Sequence, residues 1–141
     1  MLSRHAGQCR MPHGHSRSIE IILEADKLDE NGMVIDFKTL KEIAVPVVNA
    51  YDHALCVNSA DPNFATLIRL FGEAVVPFEN CEPTTENLAR RLYEELRHRL
   101  QHPPHSIRQL KLCRVRVSET AATWAEYEPK MASTSEPRTG N

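Results

Sequence analysis

One short segment near the start of the chain combines three side chains that can bind a metal or react with a substrate. Cys9 is followed by His13 and His15, with Gly14 between the two histidines. The next residues, from Ser18 onward, alternate in the manner of a β-strand, in which side chains two positions apart share a face. His13 and His15 should therefore project side by side. Two neighbouring imidazoles indicate half of a zinc site, and Cys9 indicates a third ligand or a reactive thiol.

A simpler interpretation of this segment stays open, namely two surface histidines beside a loop cysteine. The pattern His-x-His is weak evidence for a metal on its own. The other cysteines, Cys56, Cys81 and Cys113, form no Cys-x-x-Cys pattern with each other or with Cys9. In a reducing compartment such cysteines need not pair, and we expect them to be apolar fillers or surface thiols.

Asp52 and His53 form a second candidate, since a carboxylate can orient and stabilise an imidazole that carries protons. Adjacent residues of a strand point in opposite directions, so the two side chains need not touch. The alternative for this pair is an ordinary polar loop after a helix, and the pair alone favours that alternative.

Glu119 is a third candidate because it is in phase with Val115 and Val117 of a predicted strand. A carboxylate on the buried face costs roughly several kcal/mol unless it finds a partner. Glu119 therefore meets a partner or a ligand, or else it has already emerged into solvent at the strand end.

Thr84, Thr85 and Glu86 form a fourth candidate, because a helix N-terminus offers free N–H groups; plain capping is the simpler alternative.

The elements that must position these residues follow from periodicity and turn signals. Asn31-Gly32 is a strong turn signal and predicts a β-hairpin of 17–27 with 33–36. Asp36 predicts the start of a helix over 37–49, with Pro46 inside it. We further expect a short helix over 63–71, a short strand over 74–78, a leucine-striped helix over 84–101 and a strand over 111–119. Strands and helices segregate, so the expected class is α+β, an antiparallel sheet with two main helices on one face.

Length and composition fit one ordinary globular domain, which we assign to 1–128, followed by a polar tail over 129–141 that we expect to be disordered. The formal net charge of -2 argues against non-specific nucleic-acid binding. No apolar run is long enough to span a membrane and the start carries no signal-peptide core, so the expected location is cytoplasmic.

Taken in order, several of these stretches resemble the 6-pyruvoyltetrahydropterin synthase family, whose bacterial branch includes 6-carboxytetrahydropterin synthase of the queuosine pathway. The resemblance covers residues 7–127, most of the chain. The matching stretches are Gly7-Gln8-Cys9, His13-Gly14-His15-Ser16, Asn31 to Phe37, Asp52-His53-Ala54-Leu55 with Asn58, Pro83 to Ala89, and Val117-Ser118-Glu119-Thr120 with Tyr127.

The resemblance implies a tunnelling-fold subunit that joins edge to edge into barrels, usually homohexamers. It implies a zinc-dependent lyase acting on a small-molecule substrate, 7,8-dihydroneopterin triphosphate. The roles that it implies are zinc ligation by His13 and His15, general base for Cys9, and relay partners for Asp52 and His53. For Glu119 it implies the carboxylate that grips the pterin ring, and for Thr84, Thr85 and Glu86 the lining of the pterin pocket, often across a subunit boundary.

One feature of the family pattern is missing from this sequence. The family places its first zinc histidine in a strand before the cysteine, in a Phe-x-Ala-Ala-His pattern, and that strand is absent here. His5 is the only candidate, and it occupies a loop position. We therefore expect either an N-terminal truncation or a site with one ligand fewer. The favoured product is 6-carboxytetrahydropterin, with acetaldehyde and triphosphate released. The alternatives are 6-pyruvoyltetrahydropterin synthase activity, which eliminates triphosphate, and a truncated non-catalytic homologue.

Overall fold

A computed structural model describes residues 1–101 and 110–129 of the chain. A disordered tail is predicted over 129–141, and the part of it after residue 129 lies outside the described residues. None of the described helices is long and apolar enough to cross a lipid bilayer.

The strands are β1 (Ser18–Ala25), β2 (Leu55–Asn58), β3 (Val75–Phe78), β4 (Leu110–Ser118) and β5 (Trp124–Tyr127). The α-helices are α1 (Phe37–Asn49), α2 (Phe64–Phe71) and α3 (Thr85–Gln101).

The main sheet is antiparallel and has the strand order β1-β4-β5. A separate pair, β2 with β3, is parallel, as the crossover through α2 requires. The α+β class and the antiparallel sheet were predicted. The short strand predicted over 74–78 is present as β3. β2, β5 and the parallel pairing were not predicted, because β2 and β5 are only four residues long and carry little periodicity.

The predicted hairpin of 17–27 with 33–36 is wrong, because β1 pairs with β4 over its whole length. The turn itself is present: Asp29 Oδ1 accepts hydrogen bonds from the backbone N–H groups of Asn31 and Met33. However, Asp36 already caps α1 by accepting from the N–H groups of Lys38 and Thr39. Too few residues remain between the turn and this cap to build a strand.

The predicted phase of β4 is correct at its end and wrong at its start. The register shifts between Ile22 and Leu23 of β1, so Cys113 on β4 is the extra residue of a bulge. Leu112, Val115 and Val117 are buried, and Cys113 is not. The bulge therefore moves Cys113 off the buried face on which simple alternation places it.

The helices lie where the sequence predicts them, and the apolar faces of α1 and α3 form one core with the sheet. α3 contacts β4 and β5, and α1 packs against α3. Thr84 caps α3 through its hydroxyl oxygen, which accepts from Asn87 N, and α1 continues through Pro46. The shared core holds these buried side chains: Ile43, Ala44, Val47, Phe78, Leu88, Ala89, Leu92, Tyr93, Leu96, Leu100, Leu112, Val115 and Val117.

Two leucines on helices test this account of the core. Leu92 on α3 is 0% exposed and Leu70 on α2 is 64% exposed. We expect Leu92→Ala to lower the free energy of unfolding by about 2–5 kcal/mol, because it leaves a cavity. Leu70→Ala should change it by less than about 0.5 kcal/mol. Urea unfolding measures both, and equal losses would show that the core is misplaced.

Candidate active site

The carboxylate of Glu119 lies just after β4 and is the centre of a polar cluster. Its Oε1 accepts hydrogen bonds from Arg17 Nε at 3.1 Å, from Arg17 Nη2 at 2.7 Å and from Thr85 Oγ1 at 2.8 Å. The Glu119 side chain is 22% exposed. Partial burial raises the pKa of Glu119, but the hydrogen bonds from Arg17 and Thr85 outweigh it, and the net pKa is lowered. Glu119 is therefore a carboxylate at neutral pH.

The β1–β4 register explains why these groups meet. Ser18, the first residue of β1, is opposite Ser118, the last residue of β4. One step beyond this pair, Arg17 therefore faces Glu119. Thr85 joins them because it is the first residue of α3, which packs on the same sheet. Of the outcomes left open for Glu119, namely a partner, a ligand or solvent, the structure shows partners, Arg17 and Thr85.

The two histidines lie next to each other, as the strand pattern predicted. The ring centroids of His13 and His15 are 4.7 Å apart. His13 Nδ1 is 2.7 Å from the carbonyl oxygen of Met11. In the tautomer that donates from Nδ1 to this oxygen, Nε2 is the nitrogen that can bind a metal. His15 Nδ1 lies 3.6 Å from Glu119 Oε1. Burial lowers the pKa of His15 more than the Glu119 charge raises it, which favours the neutral imidazole.

These imidazoles fit zinc in type but not in number. Within residues 1–101 and 110–129, no three His, Cys, Asp or Glu side chains lie together as a metal site requires. His5, the candidate for the missing ligand, instead accepts a hydrogen bond at Nδ1 from Gly7 N. Catalytic zinc sites use three protein ligands, so the described residues supply an incomplete set.

Cys9 lies in a short 3₁₀ helix, Gln8–Arg10, that precedes the histidines. Its carbonyl oxygen accepts from Leu2 N, which closes the N-terminal segment into a loop. Ser3 fastens this loop by donating from its N–H and its hydroxyl to Glu82, just before α3. The Cys9 side chain is half-buried and carries a free thiol. The N-terminal segment is therefore tied to the loop from which Thr84 and Thr85 emerge.

Asp52 and His53 touch each other, although adjacent strand residues would not. Asp52 Oδ1 lies 2.9 Å from His53 Nδ1, because His53 has a φ of 53° and belongs to a turn. The two side chains are 72% and 93% exposed, respectively. Among the described residues, no hydrogen bond or ion pair joins them to Cys9 or Glu119. This structure therefore forms the Asp52–His53 pair without bringing it to the Glu119 cluster.

A surface groove of about 600 Å³ opens where β1 begins, β4 ends and β5 begins. Arg17 and Glu119 line it, together with Arg116 and Trp124. The Arg116 guanidinium lies 4.1 Å from the centre of the Trp124 ring. Glu119 is thus among the side chains that a ligand in this groove would meet.

Arg17 is the site residue that the sequence analysis missed. A signal for it was available: Arg17 is in phase with Ile19 and His15, so it is a cation on the inward face of β1. Glu119 is an anion on the inward face of β4. Opposite charges at the inward-facing ends of two strands predict a pair when those strands are neighbours. Because β1 was predicted to pair with 33–36, its pairing with β4 was not foreseen.

Comparison with known proteins finds relatives that are named tetrahydropterin synthases. The 6-carboxy-5,6,7,8-tetrahydropterin synthase of Aquifex aeolicus is 32% identical over 125 residues, which are 86% of this chain and 76% of that relative. The enzyme of the same name from Bacillus subtilis is 29% identical over 128 residues, 89% of this chain and 73% of the relative.

Solved structures agree in fold. An uncharacterized protein of Wolinella succinogenes has a TM-score of 0.68 at 26% identity, covering 85% of this chain and 80% of its own. A 6-pyruvoyl tetrahydropterin synthase of Plasmodium vivax has a TM-score of 0.63 at 18% identity, covering 84% and 82%, which supports the fold alone. The tunnelling-fold subunit implied by the sequence resemblance is confirmed.

The family model for 6-pyruvoyl tetrahydropterin synthase matches residues 1–130, nearly the whole chain. The chain belongs to the 6-pyruvoyl tetrahydropterin synthase family.

Proposed function

We propose that the protein is a zinc-dependent lyase that converts 7,8-dihydroneopterin triphosphate to 6-carboxy-5,6,7,8-tetrahydropterin and releases acetaldehyde and triphosphate. One observation carries this proposal: an ionised, partly buried carboxylate, Glu119, lines a groove beside two adjacent imidazoles. The two relatives described above, which are named 6-carboxy-5,6,7,8-tetrahydropterin synthases, support the choice of product.

Glu119 is assigned the task of holding the pterin ring. The 2-amino and N3–H groups of a pterin are donors, and an ionised carboxylate only accepts hydrogen bonds. Thr85 positions the carboxylate by donating to Oε1, and Thr84 fixes Thr85 by capping α3. Glu86, in the first turn of α3, is exposed and free to contact the substrate rim.

Cys9 is assigned the role of the base that moves a proton of the substrate side chain, since a thiolate can accept a proton. Asp52 and His53 are assigned the relay of that proton. Their high exposure and their separation from Glu119 suit a task at a substrate held by a neighbouring copy of the chain. In this proposal the complete site therefore needs more than one subunit.

Zinc dependence is part of the proposal, with His13 and His15 as two of its ligands. A neutral imidazole is the form of histidine that binds zinc. The set is incomplete among the described residues.

A homohexamer is the proposed assembly. β1 and β5 are the edges of the main sheet, and unpaired edges invite pairing with other strands. We further propose a cytoplasmic location, which the four free cysteines fit, and queuosine biosynthesis as the setting, as the sequence resemblance implies.

Product identification tests the proposed reaction. The chain, purified and supplied with zinc, is incubated with 7,8-dihydroneopterin triphosphate. We expect 6-carboxytetrahydropterin and an equal amount of acetaldehyde, measured by mass spectrometry and by an aldehyde trap. A 6-pyruvoyl product without acetaldehyde would assign the alternative synthase activity. Unchanged substrate at all zinc concentrations would favour a non-catalytic homologue.

Glu119→Gln tests the pterin anchor. The variant keeps the size of the side chain and removes the charge, so the dissociation constant of a pterin should rise by about ten- to a hundredfold. Glu126→Gln is a matched control, since Glu126 is 26% exposed and is also paired with an arginine, Arg116. Calorimetric titration measures both variants. Equal affinities for Glu119→Gln and the wild type would remove the anchoring role.

Cys9→Ala tests the proposed base. Positioned proton transfer contributes about 10²–10⁴-fold to a rate, so kcat should fall by that factor while zinc content and pterin affinity persist. Cys113→Ala is the control, because Cys113 is another half-buried free thiol that lies at the β4 bulge. Wild-type turnover in Cys9→Ala would exclude the thiol from proton transfer.

A further inference from the structure

The hydrogen bonds between Arg17 and Glu119 use only one of the two carboxylate oxygens and only two of the three guanidinium nitrogens. Both guanidinium donors in use, Nε and Nη2, reach the same carboxylate oxygen, Oε1. Thr85 donates to Oε1 as well. The described residues donate no hydrogen bond to Oε2, and Arg17 reaches Glu119 without using Nη1. The pair therefore keeps a free acceptor and a free donor group, and both residues line the same groove.

We propose that Arg17 is a specificity-determining residue, which with Glu119 recognises the adjacent N3–H and C4=O groups of a 4-oxopteridine. This inference rests on the proposed function, since it takes a pterin as the ligand of Glu119. Oε2 of Glu119 accepts from N3–H, and the free donors of Arg17 donate to O4. A carboxylate alone contacts only the donors of the ring, whereas the pair also contacts the group at C4 directly.

The chemistry of the two side chains explains the selectivity. An arginine donates hydrogen bonds and never accepts them, and an ionised carboxylate only accepts. A 4-amino group in place of the 4-oxo group turns donors toward Arg17, and it also leaves N3 without its hydrogen, so that a lone pair faces Glu119. The analogue therefore mismatches both side chains, and the mismatch at C4 is the part that Arg17 imposes. A site built to hydrogen-bond one group rejects the analogue that lacks it, because its own polar group is then unpaired.

The surroundings of Arg17 agree with such a role. Its side chain is only 23% exposed, so the surrounding protein restricts its position. β1 begins one residue later, which ties the Arg17 backbone to the sheet. A purely structural arginine would need only to balance the charge of Glu119. That role predicts a loss of stability on substitution, with no change in the preference between two ligands of the same size.

The experiment compares two ligands of equal shape, 2-amino-4-oxopteridine and 2,4-diaminopteridine, by calorimetric titration of the full chain. The variants are Arg17→Ala and Arg17→Lys, with Arg90→Gln as the control. Arg90 is an exposed arginine paired with Glu94 on α3. Thermal unfolding of each variant checks that it is folded. Arg17→Lys keeps a charge and a donor, so it tests the proposal even where Arg17→Ala is unstable.

The wild type and Arg90→Gln should prefer the 4-oxo ligand by about tenfold or more. Arg17→Ala should lower this preference to the part that Glu119 imposes through N3, and Arg17→Lys should restore some of the loss. An unchanged ratio in both folded Arg17 variants would overturn the inference and leave the proposed function standing. Failure of the wild type to bind either pteridine would overturn both.

Discussion

The pairing of β1 with β4 is the constraint on which the rest of the site depends. It places the residue before β1 opposite the residue after β4, so Arg17 faces Glu119. The same register brings His15 within 3.6 Å of the Glu119 carboxylate and keeps His13 beside it. A shift by one residue would turn each inward-facing side chain of β1 to the opposite face. The site is thus assembled by the same ladder that buries the apolar face of the sheet.

Burial of Glu119 has a cost that the surrounding residues offset. The carboxylate is mostly withdrawn from water, and desolvation alone raises its pKa. Arg17 and Thr85 reverse that effect through three hydrogen bonds to one oxygen. The second oxygen stays available, so the interactions that keep Glu119 ionised do not consume its capacity to bind a ligand. Oε1 accepts the hydrogen bonds that keep Glu119 ionised, and Oε2 remains for a substrate.

Much of the fold and part of the site follow from sequence patterns. The period of 3.6 residues gives α1 and α3, and alternation gives β1 and β4 and places Glu119 inward. Alternation does not say which strands pair, so the turn at Asn31-Gly32 led to the wrong partner for β1. The bulge at Cys113 is equally invisible, because it depends on the register against β1.

Contacts between elements are the part of the site that local patterns cannot give. The Arg17–Glu119 pair spans 102 positions of sequence. The Asp52–His53 contact depends on the left-handed backbone of His53, which strand geometry did not anticipate. The family resemblance supplied roles for most of these residues, and the structure supplied the neighbour, Arg17, that the resemblance does not mention.

The most direct test of the account is a crystal structure of the chain soaked with 2-amino-4-oxopteridine. The account predicts the ring in the groove between β1 and β5, with its donor edge within hydrogen-bond distance of Oε2 of Glu119. A second groove, of about 510 Å³, lies on α1 and is lined by Lys38, Lys41 and Glu42. A pteridine bound there, with Glu119 contacting only Arg17 and Thr85, would contradict the account.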